Sequence, residues 1–421
     1  MTDTVDTPPG TVAAIGGPDG LLAGDDVAAF VAGRLADVDL DGARVCVLVP
    51  DRTRACPLPL LLRSVDAALA GRAAHVTVLV ALGTHAALDG ADLAAHTGLP
   101  ARDGLEVRNH EWWEPATFAQ LGRIDAARVA SLTGGRLDEP VEVRVNRAVA
   151  EADLTLVVGP VLPHEVVGFS GGNKYLFPGV SGPEMIDVSH WLGALLTSPA
   201  VIGVTGVTPV RALIDEAAAL VPGRRLALCV VPDASGDRLH AAAFGPPEVS
   251  WAAAAEVAAV THVRYLDRPV RRILSLVSAR YDDLWTGAKG FYKVEPVVAD
   301  GGEVVLFAPH ITEVAPMHPG VEAIGYHCRD YFLGQWDRFA GVARADLAHA
   351  THLRGAGTWD PVHGERCRVR VTLATGIPEA VVRRVGLDHR DPSTVDPVAW
   401  ADDPDTLVVP DAGEQLYRLR P

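Results

Sequence analysis

A chain of 421 residues, 48% hydrophobic and 21% charged, has the composition of a folded globular protein and the length of two domains rather than one. Its 37 Lys and Arg against 53 Asp and Glu leave a net charge of −16, which argues against a phosphate-neutralising surface for nucleic acid and against docking on anionic lipid. A few buried cations would still suffice to hold a small anion. No run approaches the roughly 18–20 apolar residues of a membrane span, and the N-terminus lacks the basic flank and apolar stretch of a secretory signal. The five cysteines are odd in number, scattered and without a C-x-x-C, which suits a reducing cytosol, so a cytoplasmic protein is expected.

In chain order, 43–50 reads as a buried strand ending in a loop at Asp51, and 59–70 has helical spacing of apolar residues. A second strand over 75–81 ends in Leu82-Gly-Thr-His85, and 89–96 reads as a helix with Asp89 near its start. Strand–helix–strand with short apolar strands implies a parallel sheet covered on both faces. Ligands gather at the carboxyl ends of such strands, where Asp51 and His85 fall. A third strand, 153–159, runs into 160–182, whose last fifteen positions hold five glycines; this is a backbone-exposing loop, unsuited to a long helix. Strands at 225–231 and 272–278 flank an Ala-rich helical stretch over 250–260. A boundary is expected near 270, at Asp267-Arg-Pro-Val-Arg-Arg. Beyond it come a turn at Tyr281-Asp-Asp, a helix from Leu284, and strands at 302–309, 369–374 and 406–410. The expected fold is α/β: two α/β domains, 1–270 and 271–399, with mainly parallel sheets around an interdomain cleft. The segment from about 400 to 421 is expected to pack back on the first domain.

Four clusters carry the candidate chemistry. Of the 15 histidines, His75, His96, His110 and His349 have no unusual neighbours and read as structural. His85, His164 and His190 each follow a strand end or sit near a glycine-rich turn, where imidazole exchanges protons or ligates a borderline metal. Lys174, within Gly-Gly-Asn-Lys-Tyr, reads three ways: phosphate cradle, covalent attachment point, or solvated loop lysine. The phosphate-loop signature fails, because Asn173 and Tyr175 stand where glycine and Ser/Thr belong. In Asp51-Arg-Thr-Arg54, the second arginine suits a carboxylate or phosphate and Asp51 suits orienting a neighbour, although spacing alone favours an ion pair closing the loop. In Leu284-Trp-Thr-Gly-Ala-Lys289-Gly290, a lysine one turn into a helix either neutralises an anion in a cleft or faces solvent.

Together these clusters resemble the lactate racemase family that uses a nickel-pincer nucleotide. The matching motifs run in order over most of the chain: D-x-T-R at Asp51, Thr53 and Arg54; G-T-H ending at His85; H-x(3)-G-x-S-G-G-x-K from His164 to Lys174; a downstream histidine, His190; and Lys289-Gly290. The resemblance implies that Lys174 holds the nucleotide covalently through a thioamide-type link and that His190 ligates nickel beside two sulfurs and a ring carbon of the cofactor. It implies that Asp51, Thr53 and Arg54 help hold the cofactor, and that Gly171 and Gly172, having no Cβ, let their backbone approach it. Arg54 and Lys289 would bind the substrate carboxylate. His85 and His164 would exchange the hydroxyl proton from opposite faces while the α-hydrogen passes as hydride to the cofactor and returns to the other face of a planar 2-keto acid. The implied activity is that of an isomerase, a racemase or epimerase of a small-molecule 2-hydroxy acid, dependent on cofactor-synthesis enzymes. Where the lactate enzymes carry Tyr-Gln, this chain has Trp285 and Thr286, so a 2-hydroxy acid other than lactate, larger or polyhydroxylated, is expected. Two other readings stay open: a hydrolase or dehydratase with a simple His-bound metal, and a non-catalytic nucleotide-binding protein. The second has no use for a pair of proton-exchanging histidines.

Overall fold

The computed structural model describes residues 11–420. Its first half is built on a seven-stranded sheet of β1 (Ala13–Gly16), β2 (Arg44–Val49), β3 (His75–Val80), β4 (Leu105–Asn109), β5 (Leu154–Pro160), β6 (Arg224–Pro232) and β7 (Leu239–Gly245), in the order β1-β7-β6-β5-β2-β3-β4. The run from β6 to β4 is parallel, and β7 and β1 add an antiparallel edge. Alternation along β2 explains the two covered faces. Val45, Val47 and Val49 point into one core, where they meet Leu58, Leu61, Leu62 and Val65 of the helix Leu58–Leu69. Cys46 and Leu48 point into the other, which includes Leu213, Trp251 and Ala255 from helices on the opposite face. Asp89 caps the helix Gly90–Thr97 by accepting from the Ala91 and Asp92 amides, an arrangement worth about 1 kcal/mol.

The second half holds a five-stranded, wholly parallel sheet of β8 (Val270–Val277), β9 (Val298–Ala308), β10 (Arg370–Thr375), β11 (Asp388–His389) and β12 (Thr406–Ala412), ordered β11-β10-β9-β8-β12. This is the expected α/β architecture with mainly parallel sheets. The end of the chain divides between the halves: β12 is an edge of the second sheet, whereas Leu416–Leu419 pairs in parallel with Val263–Leu266. The helix expected from Leu284 is two short ones, Leu284–Gly287 and Lys289–Tyr292, the first capped by Asp283. The helix Pro183–Leu196 lies between the halves, giving Met185 and Leu192 to a first-half core and Trp191 and Ala194 to the second-half core. Among the described residues no helix is long and apolar enough to cross a membrane.

Candidate functional site

The glycine-rich segment after β5 is shaped from behind. Pro163–His164 and Gly168–Phe169 form a short antiparallel pair, and the buried Arg211 donates to the carbonyls of Phe169 and Gly171 while its guanidinium lies 4.0 Å over the Trp251 ring. Asn173 donates to Asp215 and Glu248 at 2.9 and 2.7 Å and accepts from Arg225 at 2.9 Å. These bonds fix the 3₁₀ turn Gly172–Tyr175 and present Lys174 to a cavity of about 120 Å³. That cavity opens beyond the carboxyl ends of β2, β3 and β5, as expected for a parallel sheet.

Asp51, Arg54, His85, His164, Gly171, Lys174 and His190 all line it from the first half, and Trp285, Thr286 and Lys289 line it from the second. A neighbouring cavity of about 100 Å³ shares Asp51, His85, Trp285 and Thr286 with it. Two of the predicted residues do not line the first cavity, although Thr53 lines the neighbouring one. Thr53 holds Asp51 in place, donating to its Oδ1 from the hydroxyl at 2.6 Å and from the amide at 2.9 Å. Gly172 adopts φ +57°, and a Cβ there would sit 2.9 Å from Trp251 Cβ. Its lack of a side chain therefore accommodates a protein neighbour. Gly171, at φ +87°, likewise turns its missing Cβ toward Val161.

The hydrogen bonds assign the histidine tautomers. Asp51 Oδ2 lies 2.8 Å from His85 Nδ1, so Nδ1–H donates to the carboxylate, and in the neutral ring the lone pair is on Nε2. Burial pushes the Asp51 carboxyl up, but the His85 charge and the bonds from His85 and Thr53 outweigh it and hold the group well below the usual range. His190 Nδ1 lies 2.7 Å from the Ile186 carbonyl, which only accepts, so His190 Nε2 is also left with a lone pair. Burial lowers His190 to about 4, keeping it neutral. His164 differs: its Nδ1 accepts the Val166 amide at 3.2 Å, which places the neutral ring's proton on Nε2. Burial first, then Lys174 and Arg54, holds His164 well below its ordinary value. Burial, with Arg54 second, lowers both Lys174 and Lys289 to about 7.

The structure also brings in residues that sequence reasoning passed over. His349, read as structural, and His352 both line the cavity, carried by the helix Arg344–Thr351 and its C-cap. His349 packs edge-on to His190 at 5.1 Å and to Trp285 at 5.3 Å, and its Nδ1 is buried without a hydrogen-bond partner. The spacing His-x-x-His, which puts two side chains on one helical face, was the available signal. Glu165 lines the cavity beside His164, its Oε2 3.3 Å from Nδ1. The His318 ring packs against Trp285 at a tilt of 59°, ring centres 4.4 Å apart, with its Nε2 3.0 Å from Thr84 Oγ1.

Residues 31–202 match the lactate racemase N-terminal domain. A lactate racemase from Thermoanaerobacterium thermosaccharolyticum is 25% identical over 294 residues, covering 68% of this chain and 64% of its own length. One from Lactiplantibacillus plantarum is 26% identical over 159 residues, covering 37% and 34%. These matches thus span less than two thirds of each curated relative. Among solved structures, a protein from Thermotoga maritima superposes with a TM-score of 0.87 at 29% identity, covering 96% of this chain and 100% of the other. The lactate racemase apoprotein from T. thermosaccharolyticum gives a TM-score of 0.72 at 18% identity over 94% and 93% of the two chains, a likeness of fold.

Proposed function

We propose that this chain, which is similar to the lactate racemases, is an isomerase, a racemase or epimerase inverting the α-carbon of a 2-hydroxy acid on a nickel-pincer nucleotide. One observation carries the proposal: His85, His164, His190, Lys174, Arg54 and Lys289, drawn from separate stretches of sequence, converge on one cavity.

The residues present fit the cofactor. His190 offers a neutral imidazole whose Nε2 lone pair is free of the Ile186 bond, as a nickel ligand requires. Lys174, brought to about 7 by burial and by Arg54, has its amine substantially unprotonated near neutral pH, as a covalent link through nitrogen requires. Lys174 and His190 would hold the group, with Arg54 and the Gly171 backbone beside them. When bound, the nucleotide supplies an electrophilic carbon that takes and returns a hydride.

The chain's own task is then to hold the acid and move its hydroxyl proton. Lys289 and Arg54 hold the carboxylate. His85, braced by Asp51, takes the hydroxyl proton on Nε2, and His164, with its proton on Nε2, gives one. Reversal of roles is supported at His164, because Nδ1 faces both the Val166 amide, which favours an acceptor there, and Glu165 Oε2, which favours a donor. The orphaned Nδ1 of His349 and the Trp285 ring line the remaining wall, where an acid with a polar group beyond lactate's methyl would find a partner.

The test is production with the cofactor-synthesis enzymes, followed by intact mass, metal analysis and chiral readout on a panel of single-enantiomer 2-hydroxy acids. We expect an adduct on Lys174, about one nickel per chain, and inversion of at least one acid. His85→Ala and His164→Ala should each keep the adduct and lose ~10²–10⁴-fold in rate, while Lys174→Ala loses the adduct. Unmodified protein, or an adduct-bearing enzyme that inverts no 2-hydroxy acid, overturns the reading.

A further inference from the structure

In the second half, away from the cavity, Glu365 and Cys367 occupy alternate positions of the strand Gly364–Cys367, so their side chains leave the same face. Cys328 meets them from the start of the helix Arg329–Leu333. Among the described residues these three are the one group of potential metal ligands whose donor atoms all lie within 4.8 Å of one another. The approach depends on Gly357, paired with Cys367 across the hairpin: a Cβ there would stand 2.9 Å from Cys328 Cβ and 3.1 Å from Cys367 Cα.

We propose that Cys328, Cys367 and Glu365 form a binding site for a thiolate-preferring divalent cation such as zinc. Two sulfurs at ~2.3 Å from a tetrahedral zinc stand roughly 3.8 Å apart, so the observed spread closes with small side-chain movements. The carboxylate is oriented for the task. One oxygen accepts the Cys328 amide, and the other lies 3.0 Å from His327 Nδ1, whose ring is stacked on Tyr331 at 3.6 Å. A disulfide has no use for that carboxylate. Charge balances as well: two thiolates and Glu365 carry three negative charges, Arg354, 3.5 Å from Glu365, carries one positive, and a divalent cation supplies the other two. Binding releases both thiol protons to solvent and changes no oxidation state. The fourth ligand position is left to water.

The site has a structural consequence. The His327 amide donates to the Ala350 carbonyl, and Arg354 Nε to the Tyr326 carbonyl, so the ion would brace the end of the helix that carries His349.

The experiment uses full-length, reduced, chelator-treated protein made without nickel or the cofactor-synthesis enzymes, titrated with Co²⁺ and then Zn²⁺. We expect one Co²⁺ per chain with thiolate-to-cobalt charge-transfer absorption, its displacement by Zn²⁺, and a rise in Tm with zinc. Cys367→Ser and Cys328→Ser should lose the absorption, Glu365→Gln should weaken binding at least about tenfold, and His190→Ala should retain it. Three results overturn the proposal: no thiolate absorption in the wild-type protein, absorption that survives Cys367→Ser, or isolated protein that is metal-free and two hydrogens light from a Cys328–Cys367 disulfide.

Discussion

Lys289 is a buried cation whose working charge depends on pH. Its ammonium lies 4.4 Å from the Tyr281 ring centre, and burial and Arg54 bring it to about 7. Below that value it is protonated and attracts a carboxylate; above it the proton leaves and the attraction goes with it. A 2-hydroxy acid is anionic throughout this range, so KM should be lowest below about pH 7 and rise above it, by at most about tenfold per pH unit. Lys289→Arg, which cannot lose its charge, should flatten that rise even where altered geometry raises KM overall. A KM profile of the same slope in both proteins would remove Lys289 from carboxylate binding. The neighbouring residues differ in how openly the sequence displayed them. Asp51 and His85 were legible because each ends an apolar strand. His349 was not, because it sits in an Ala-rich stretch and becomes notable only when the short helix brings it beside His190 and Trp285. Thr53 and Gly172 belong to conspicuous motifs, yet neither lines the first cavity: Thr53 braces Asp51 and Gly172 packs against Trp251.

At the level of elements, the strands and their ends were readable because a sheet covered on both faces demands uninterrupted β-branched runs. The helix Pro183–Leu196 was not read from the sequence. Wedged between two cores, it has apolar residues on more than one side, and the periodicity that marks a surface helix is blurred. Several helices between 319 and 351 are four to eight residues long, too short to show a period at all. The glycine-rich segment makes its own prediction. Gly172→Ala places a side chain in the left-handed region and against Trp251 Cβ, with Pro247 O at 3.2 Å. The conformational cost alone is roughly 1–2 kcal/mol, and the backbone contact adds to it. We expect a fall in Tm of roughly 2–4 °C for each kcal/mol lost, with less Lys174 adduct formed because the turn that presents the amine is displaced. An unchanged Tm in differential scanning calorimetry would mean that Trp251 yields freely and that the glycine is not needed for packing.

Across the whole molecule, the cavity exists only because two sheets' worth of structure meet over it. Arg329 donates to the Leu195 carbonyl at 2.8 Å, Arg344 pairs with Glu139 at 2.7 Å, and Asp187 accepts the Ala345 amide at 3.0 Å, all linking the second half to the first. Most of these lie away from the chemistry. Thr84 and His318 are different: their 3.0 Å bond crosses between the halves beside the cavity, where Thr84 is next in sequence to the catalytic candidate His85. His318 is held on its other nitrogen by Asp346 at 3.3 Å and packs at a tilt against Trp285, which also packs edge-on to His85 at 4.7 Å. Joining the halves through Thr84–His318–Trp285 therefore also positions the ring that His85 leans on. A hydrogen bond of this kind contributes about 1 kcal/mol net, so Thr84→Val, which keeps the shape and removes the hydroxyl, should lower kcat/KM about fivefold. His318→Phe should cost at least as much. The decisive measurement is the double variant, since residues acting through one shared bond give losses that do not add. If Thr84→Val/His318→Phe is no worse than His318→Phe alone, the bond is the latch between the halves. If the two losses multiply, the residues act separately, and closure over the substrate rests on the outlying ion pairs instead.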